Sequence, residues 1–135
     1  MIRFANGTTL DTLGISGGYR ILNGSNRDSI SIKIINSDYP MIKDNFISEN
    51  PFSVIEVGEY PAFDEEGNIM LDDEGNVIVR KLETVYDKSE YCIIGDIVDH
   101  GDGTFTVFVG KKTEHELEVE ALYAAVDELL LEVLA

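Results

Sequence analysis

Hydrophobic and polar residues alternate through the first third of the chain with the two-residue period of β-strands. The alternation is clearest in residues 28–35, where isoleucines share one face and polar side chains share the other: Ile30, Ile32 and Ile34 against Ser29, Ser31 and Lys33. This pattern predicts a half-buried antiparallel strand. Asn-Gly pairs at 6–7 and 23–24 are strong hairpin signals, so we expect residues 2–5 and 8–13 to pair. We expect Gly17-Gly18 to form a turn or bulge, after which residues 19–22 are extended again.

The pattern changes after residue 36. Met41, Ile42 and Phe46 fit one face of a helix better than they fit alternation, and Pro40 suits a first helical turn. We predict a short helix over residues 40–48, capped by Ser37 or Asp38 and stopped at Asn50-Pro51, with a strand over residues 52–57.

An acidic heptapeptide occurs twice, eight residues apart, as residues 64–70 (DEEGNIM) and 72–78 (DDEGNVI). Each copy has Gly and Asn where a turn needs left-handed backbone, followed by apolar residues. The repeat predicts two successive hairpin turns in a projecting acidic ribbon. Its spacing does not match the calcium-binding loop of an EF-hand.

Three more strands are predicted at residues 77–86, 90–98 and 104–109. The second is almost continuously apolar, which is typical of a central strand. The whole pattern predicts an α+β, β-rich fold: a mainly antiparallel small sandwich or open barrel with one short inserted helix and a long C-terminal helix.

The last stretch, residues 113–135, contains no Gly or Pro and starts with the capping box Thr113 to Glu116, so it predicts a helix. Its apolar residues are spaced alternately by three and four, with valines at the a positions and leucines at the d positions of a heptad. We therefore divide the chain into a β-rich domain, 1–112, and a docking or oligomerisation helix, 113–135. The expected protein interface is Val119, Leu122, Val126, Leu129, Leu130 and Val133. The pattern leaves open whether its partner is the chain's own sheet or another subunit.

Composition narrows the partners. Asp and Glu number 26 against 10 Lys and Arg, a net charge of −16, which argues against binding nucleic acid or an anionic membrane. The single cysteine, Cys92, excludes an internal disulfide framework and is interpreted as a small buried apolar residue. The start of the chain lacks the apolar core of a signal peptide, and no apolar run is long enough for a membrane span, so we expect a cytoplasmic protein.

Candidate catalytic chemistry is sparse. His100 and His115, the two histidines, have no metal-ligand spacing between them, and neither a nucleophile elbow nor a phosphate-binding glycine loop is present. We therefore expect no catalytic residues, no cofactor, no metal and no small-molecule ligand.

Two stretches carry a family resemblance: residues 23–32 (NGSNRDSISI) and residues 105–114 (FTVFVGKKTE), the latter continuing into Glu116, Leu122, Val126, Asp127 and Leu129. They resemble small tail-region proteins of phages and prophages of Gram-positive bacteria. The resemblance implies a non-enzymatic structural or assembly protein of the tail or baseplate, a homo-oligomer and/or bound to other virion proteins. It would be found in the host cytoplasm during assembly and then in the virion.

The simplest interpretation of the acidity is solubility at high copy number, since a large net charge keeps copies apart. The acidity also supports an alternative hypothesis of function. Acidic clusters at residues 64–74 and 114–120, with the charge of −16, are also typical of an inhibitor that imitates DNA and binds a host nuclease or another DNA-binding protein.

Overall fold

The computed structural model describes residues 1–134, so the predicted helical residue 135 lies outside the described residues. Its elements follow the chain in the order β1 (Ile2–Phe4), β2 (Thr9–Leu22), β3 (Ser25–Ile35), α1 (Tyr39–Asn45), β4 (Phe52–Pro61), β5 (Val79–Asp87), β6 (Ile93–Asp99), β7 (Phe105–Gly110) and α2 (Glu114–Leu134).

The seven strands form one sheet in the order β5-β4-β1-β2-β3-β7-β6, and every neighbouring pair is antiparallel. The predicted α+β, β-rich fold with a short inserted helix and a long C-terminal helix is therefore confirmed.

The apolar stretch expected to form a central strand is at an edge instead. β6 begins at Ile93 and pairs with β7 alone among the described strands, with a register shift between Ile94 and Ile97. Residues three apart in a regular strand point to opposite faces, but the register shift lets both isoleucines pack against the same core cluster. A continuous apolar run here reflects a bulged edge strand and not a strand with two neighbours.

The core lies on one face of the sheet. Ile32, Ile34 and Val107 are fully buried there. They are covered by Ile42 of α1 and by Phe46, the residue that caps the C-terminus of α1. The N-terminus of α1 is capped by Asp38, whose Oδ1 accepts a hydrogen bond from the Met41 amide at 2.9 Å. The predicted helix is confirmed, ending at Asn45 and not at residue 48.

β2 is longer than the sequence suggested. It runs without interruption from Thr9 to Leu22, and Gly17 and Gly18 pair in register with Ile30 and Ser29, so the expected turn at these glycines is wrong. The bulge occurs earlier, between Thr12 and Gly14. The Asn23-Gly24 hairpin turn is confirmed by positive φ angles of 50° and 80°.

β4 and β5 extend into an arm that ends in residues 62–78, which we call the acidic tip. Both predicted hairpin turns are present, with bridges between Phe63 and Ile69 and between Leu71 and Val77. Three residues at eight-residue intervals are joined in a hydrogen-bonded ring: the Ala62 amide donates to Ile78 O, Ile78 to Met70 O, and Met70 to Ala62 O, at distances of 2.8 to 3.0 Å. The two hairpin turns and the β4–β5 arm therefore meet at one ring of backbone hydrogen bonds.

Candidate docking helix

α2 begins with the predicted capping box. The Thr113 amide donates to Glu116 Oε1 at 2.9 Å, and the Glu116 amide donates to Thr113 Oγ1 at 3.2 Å. Together these bonds satisfy two amides at the start of the helix that have no partner within it. Glu114 and Glu116 also place negative charge in the first turn, where the helix dipole favours it.

A buried arginine anchors this first turn to the sheet. The Arg27 side chain is 1% exposed and forms an ion pair with Glu116. Its Nε donates to Leu22 O at 2.9 Å and its Nη1 to Lys111 O at 3.1 Å. One guanidinium thus joins the β2–β3 turn, the end of β7 and the start of α2.

Gly110 makes room for this arginine. A Cβ at Gly110 would lie 2.6 Å from Arg27 Cδ and 2.9 Å from its Cγ, closer than side chains pack. A glycine at this point therefore lets the arginine reach the helix.

Two further contacts hold the base of α2. Lys112 pairs with Glu120, and Leu117 lines a shallow cleft with Glu90, Cys92, Lys111 and Lys112. Cys92 is half-buried there and not fully buried as the sequence suggested. These attachments all come from the first two turns of α2.

Beyond these turns the helix is exposed. Every residue from 120 to 134 is exposed, and no residue of α2 is buried. Of the expected interface residues, Val119 is half-buried, and the others are exposed by 42% to 79%: Leu122, Val126, Leu129, Leu130 and Val133. The rest of the described chain therefore does not cover this apolar stripe.

The stripe points away from the domain. At about 100° per residue, Thr113, Glu116, Leu117 and Glu120 centre on one side of the helix. The a and d positions, Val119 to Val133, centre about 150° away from them. The contacts that fix α2 to the sheet therefore turn its apolar stripe outward.

The capping geometry lowers the pKa of Glu116 from 4.5 to about 2, chiefly through the Thr113 amide and then through Arg27. Because the pKa is lower in the folded protein, this carboxylate stabilises the anchor above about pH 4.5, and the effect is lost as the pH falls through about 2. We expect the Thr113 amide resonance to follow a titration near pH 2 in NMR spectra.

The control for that titration is Glu116→Gln, which should remove the transition from the Thr113 resonance. A Thr113 resonance that titrates near the ordinary Glu value of about 4.3 would contradict the capping geometry.

The two histidines lie apart, one beside a turn and one on α2. His100 Nε2 lies 2.7 Å from Thr106 Oγ1 beside a turn, and His115 is exposed in α2. Residues 1–134 contain no group of three or more potential metal ligands. No helix within the same range is long and apolar enough to cross a bilayer.

The acidic tip uses one carboxylate per repeat to hold its own turn. Asp64 Oδ1 accepts from the amides of Glu66 and Asn68, both at 2.9 Å. Asp72 repeats this arrangement with Glu74 and Asn76 at 3.0 and 2.8 Å. These aspartates are Asx-turn residues, a local reason for acidity in the repeat.

Fold and site together define a β-rich α+β domain that carries an uncovered amphipathic helix. Searches against family models, curated proteins and solved structures give no match for this chain.

Proposed function

We propose that the chain is a non-enzymatic structural or assembly subunit of a phage tail or baseplate that joins its neighbours through α2. The observation that carries the proposal is the uncovered stripe of valine and leucine on a helix whose base is fixed and whose stripe points outward.

The energetics favour a covered helix. Burying a valine or leucine side chain fully contributes about 1.5 to 3 kcal/mol, and α2 exposes several of them along one side. Helices in proteins also gain most of their stability from the packing of an apolar face, which α2 lacks over residues 120–134. A docking partner would therefore bury the apolar stripe and stabilise the helix, since the β-domain does neither beyond the first two turns of α2.

The tail or baseplate assignment rests on the resemblance of residues 23–32 and 105–114. These segments lie at the base of α2, where Arg27 of the first segment donates to Lys111 O of the second and pairs with Glu116, two residues past the end of the second. The resemblance is thus concentrated in the residues that hold the docking helix in place. This location supports an assembly role, since the feature that the chain would share with the tail-region proteins is the attachment of α2 to the sheet.

The proposal is tested in a strain that produces the particles. We expect the protein to be recovered with purified tails or their assembly intermediates. The double variant Leu122→Asp and Leu129→Asp should lower the recovered amount at least about tenfold, because two carboxylates in a buried seam cost several kcal/mol. The readout is quantitative mass spectrometry of purified particles.

The control pair is Ala124→Asp and Leu131→Asp. It adds the same charge to the same exposed helix, but on the side away from the stripe. This control should leave incorporation within about twofold, since surface substitutions cost about 0.5 kcal/mol. Absence of the unaltered protein from both particles and intermediates would refute the proposal.

A further inference from the structure

The charges of α2 are unevenly distributed around the helix. Residues 114–134 hold seven carboxylates and neither lysine nor arginine. At about 100° per residue, a sector of about 140° around the stripe nonetheless contains no carboxylate. The residues in that sector are His115, Val119, Leu122, Tyr123, Val126, Leu129, Leu130 and Val133.

We propose that the stripe is covered by α2 of a second copy of this chain, the two helices lying parallel as a two-stranded coiled coil. The inference deepens the proposed function, on which it rests, by naming the partner of the same helix. Val119, Val126 and Val133 occupy the a positions and Leu122 and Leu129 the d positions. β-Branched residues at a with leucine at d favour parallel two-stranded coils.

The positions flanking the stripe favour the parallel direction. In a parallel pair each g residue faces the following e residue of its partner, which places Glu118 beside Tyr123 of the partner subunit and Ala125 beside Leu130 of the partner subunit. No like charges meet there. An antiparallel pair would place g against g, bringing Glu118 close to Glu132 of the partner subunit, and doing so twice.

The attachment of α2 leaves room for such a pair. Arg27, Lys112 and the cleft at Leu117 hold the helix on a side about 150° from the stripe. A second helix can therefore approach the stripe without meeting the sheet. Twofold symmetry then places the two β-domains on opposite outer sides of the coil, at the same end.

The charge of the chain makes binding to a second copy and binding to a basic foreign partner respond oppositely to salt. Two copies each carry a charge of −16, so their association opposes a repulsion that salt screens. A basic partner attracted to the acidic flanks of α2 would instead bind more weakly as salt rises. The sign of the salt dependence therefore distinguishes the two.

The test uses purified full-length protein with Cys92→Ser, which removes the native thiol. Val133→Cys places a thiol at an a position, where a parallel pair brings the two copies together, whereas Leu131→Cys lies outside the seam. With oxidised glutathione as oxidant we expect a covalent dimer from Val133→Cys and at least about fivefold less from Leu131→Cys.

Sedimentation equilibrium of the unaltered protein gives the second readout. We expect a monomer–dimer equilibrium whose dissociation constant falls about threefold or more between about 0.05 M and about 0.5 M NaCl. A monomer at all concentrations, equal cross-linking of the two cysteine variants, or a dissociation constant that rises with salt would each overturn the inference. Recovery of the protein in purified particles does not depend on whether it dimerises. A negative dimer result would therefore overturn this inference and leave the proposed function to its own test.

Discussion

Replacing Arg27 with alanine is expected to lower the free energy of unfolding by about 3 kcal/mol. The substitution removes the donors to Leu22 O and Lys111 O and leaves Glu116 without its cation. It also leaves a void beside Gly110, where the arginine stem now packs. Urea unfolding followed by far-UV circular dichroism measures the loss.

Two variants separate the anchor from a general charge effect. Arg27→Lys keeps the charge but not the planar fork, and we expect it to retain only part of the stability. Arg20→Ala removes an exposed arginine that stacks 4.3 Å from the Phe108 ring centroid, which should cost no more than about 1 kcal/mol. A loss below about 1 kcal/mol for Arg27→Ala would show that the arginine does not anchor α2.

Local sequence patterns predict an element correctly where its determining residues recur at a fixed spacing. Residues 28–35 alternate because β3 packs Ile30, Ile32 and Ile34 against the core on one face. Ser29 on the opposite face is nevertheless buried, at 1% exposure, so the alternation does not predict the exposure of that face. The capping box was readable because Thr113 and Glu116 are three residues apart and bond to each other directly. In both cases the signal itself, an alternation or a three-residue spacing, lies within a few positions of sequence, even where the partners of the strand do not.

Two elements, β6 and the middle of β2, differ from the prediction because their structure depends on pairing with strands elsewhere in the sequence. β6 looked central because Ile94 and Ile97 reach the same core across a bulge, and a bulge leaves no mark in an apolar run. Gly17 and Gly18 looked like a turn, but β3 pairs with them in register and keeps the strand straight. Pairing with a distant strand overrides a local preference.

The anchor of the docking helix joins residues that are far apart in sequence. Arg27 has the sequence context of a polar residue entering a strand, and its partners Lys111 and Glu116 lie 84 and 89 positions away. The stripe on α2 was predictable from its own spacing. Its outward direction was not, because Arg27 and Lys112 set it from the sheet.

The second large effect is expected at Phe46, since α1 covers the core with very few residues. Phe46 is 3% exposed, and its ring lies edge-on to Phe4 at 5.0 Å and to Phe52 at 5.8 Å between centroids. Phe46→Ala should therefore lower the free energy of unfolding by about 3 to 4 kcal/mol, through lost burial and a cavity that a seven-residue helix cannot close. Urea unfolding measures this loss as well.

The matched control is Tyr39→Ala, which truncates an exposed aromatic at the first residue of α1. Its expected cost is about 0.5 kcal/mol, because Tyr39 is 45% exposed and lies outside the phenylalanine cluster. Equal losses for both would mean that α1 contributes through its backbone and caps and not through the phenylalanine cluster. A large difference would place this part of the stability of the β-domain in the cluster of Phe4, Phe46 and Phe52, to which no described residue of α2 belongs.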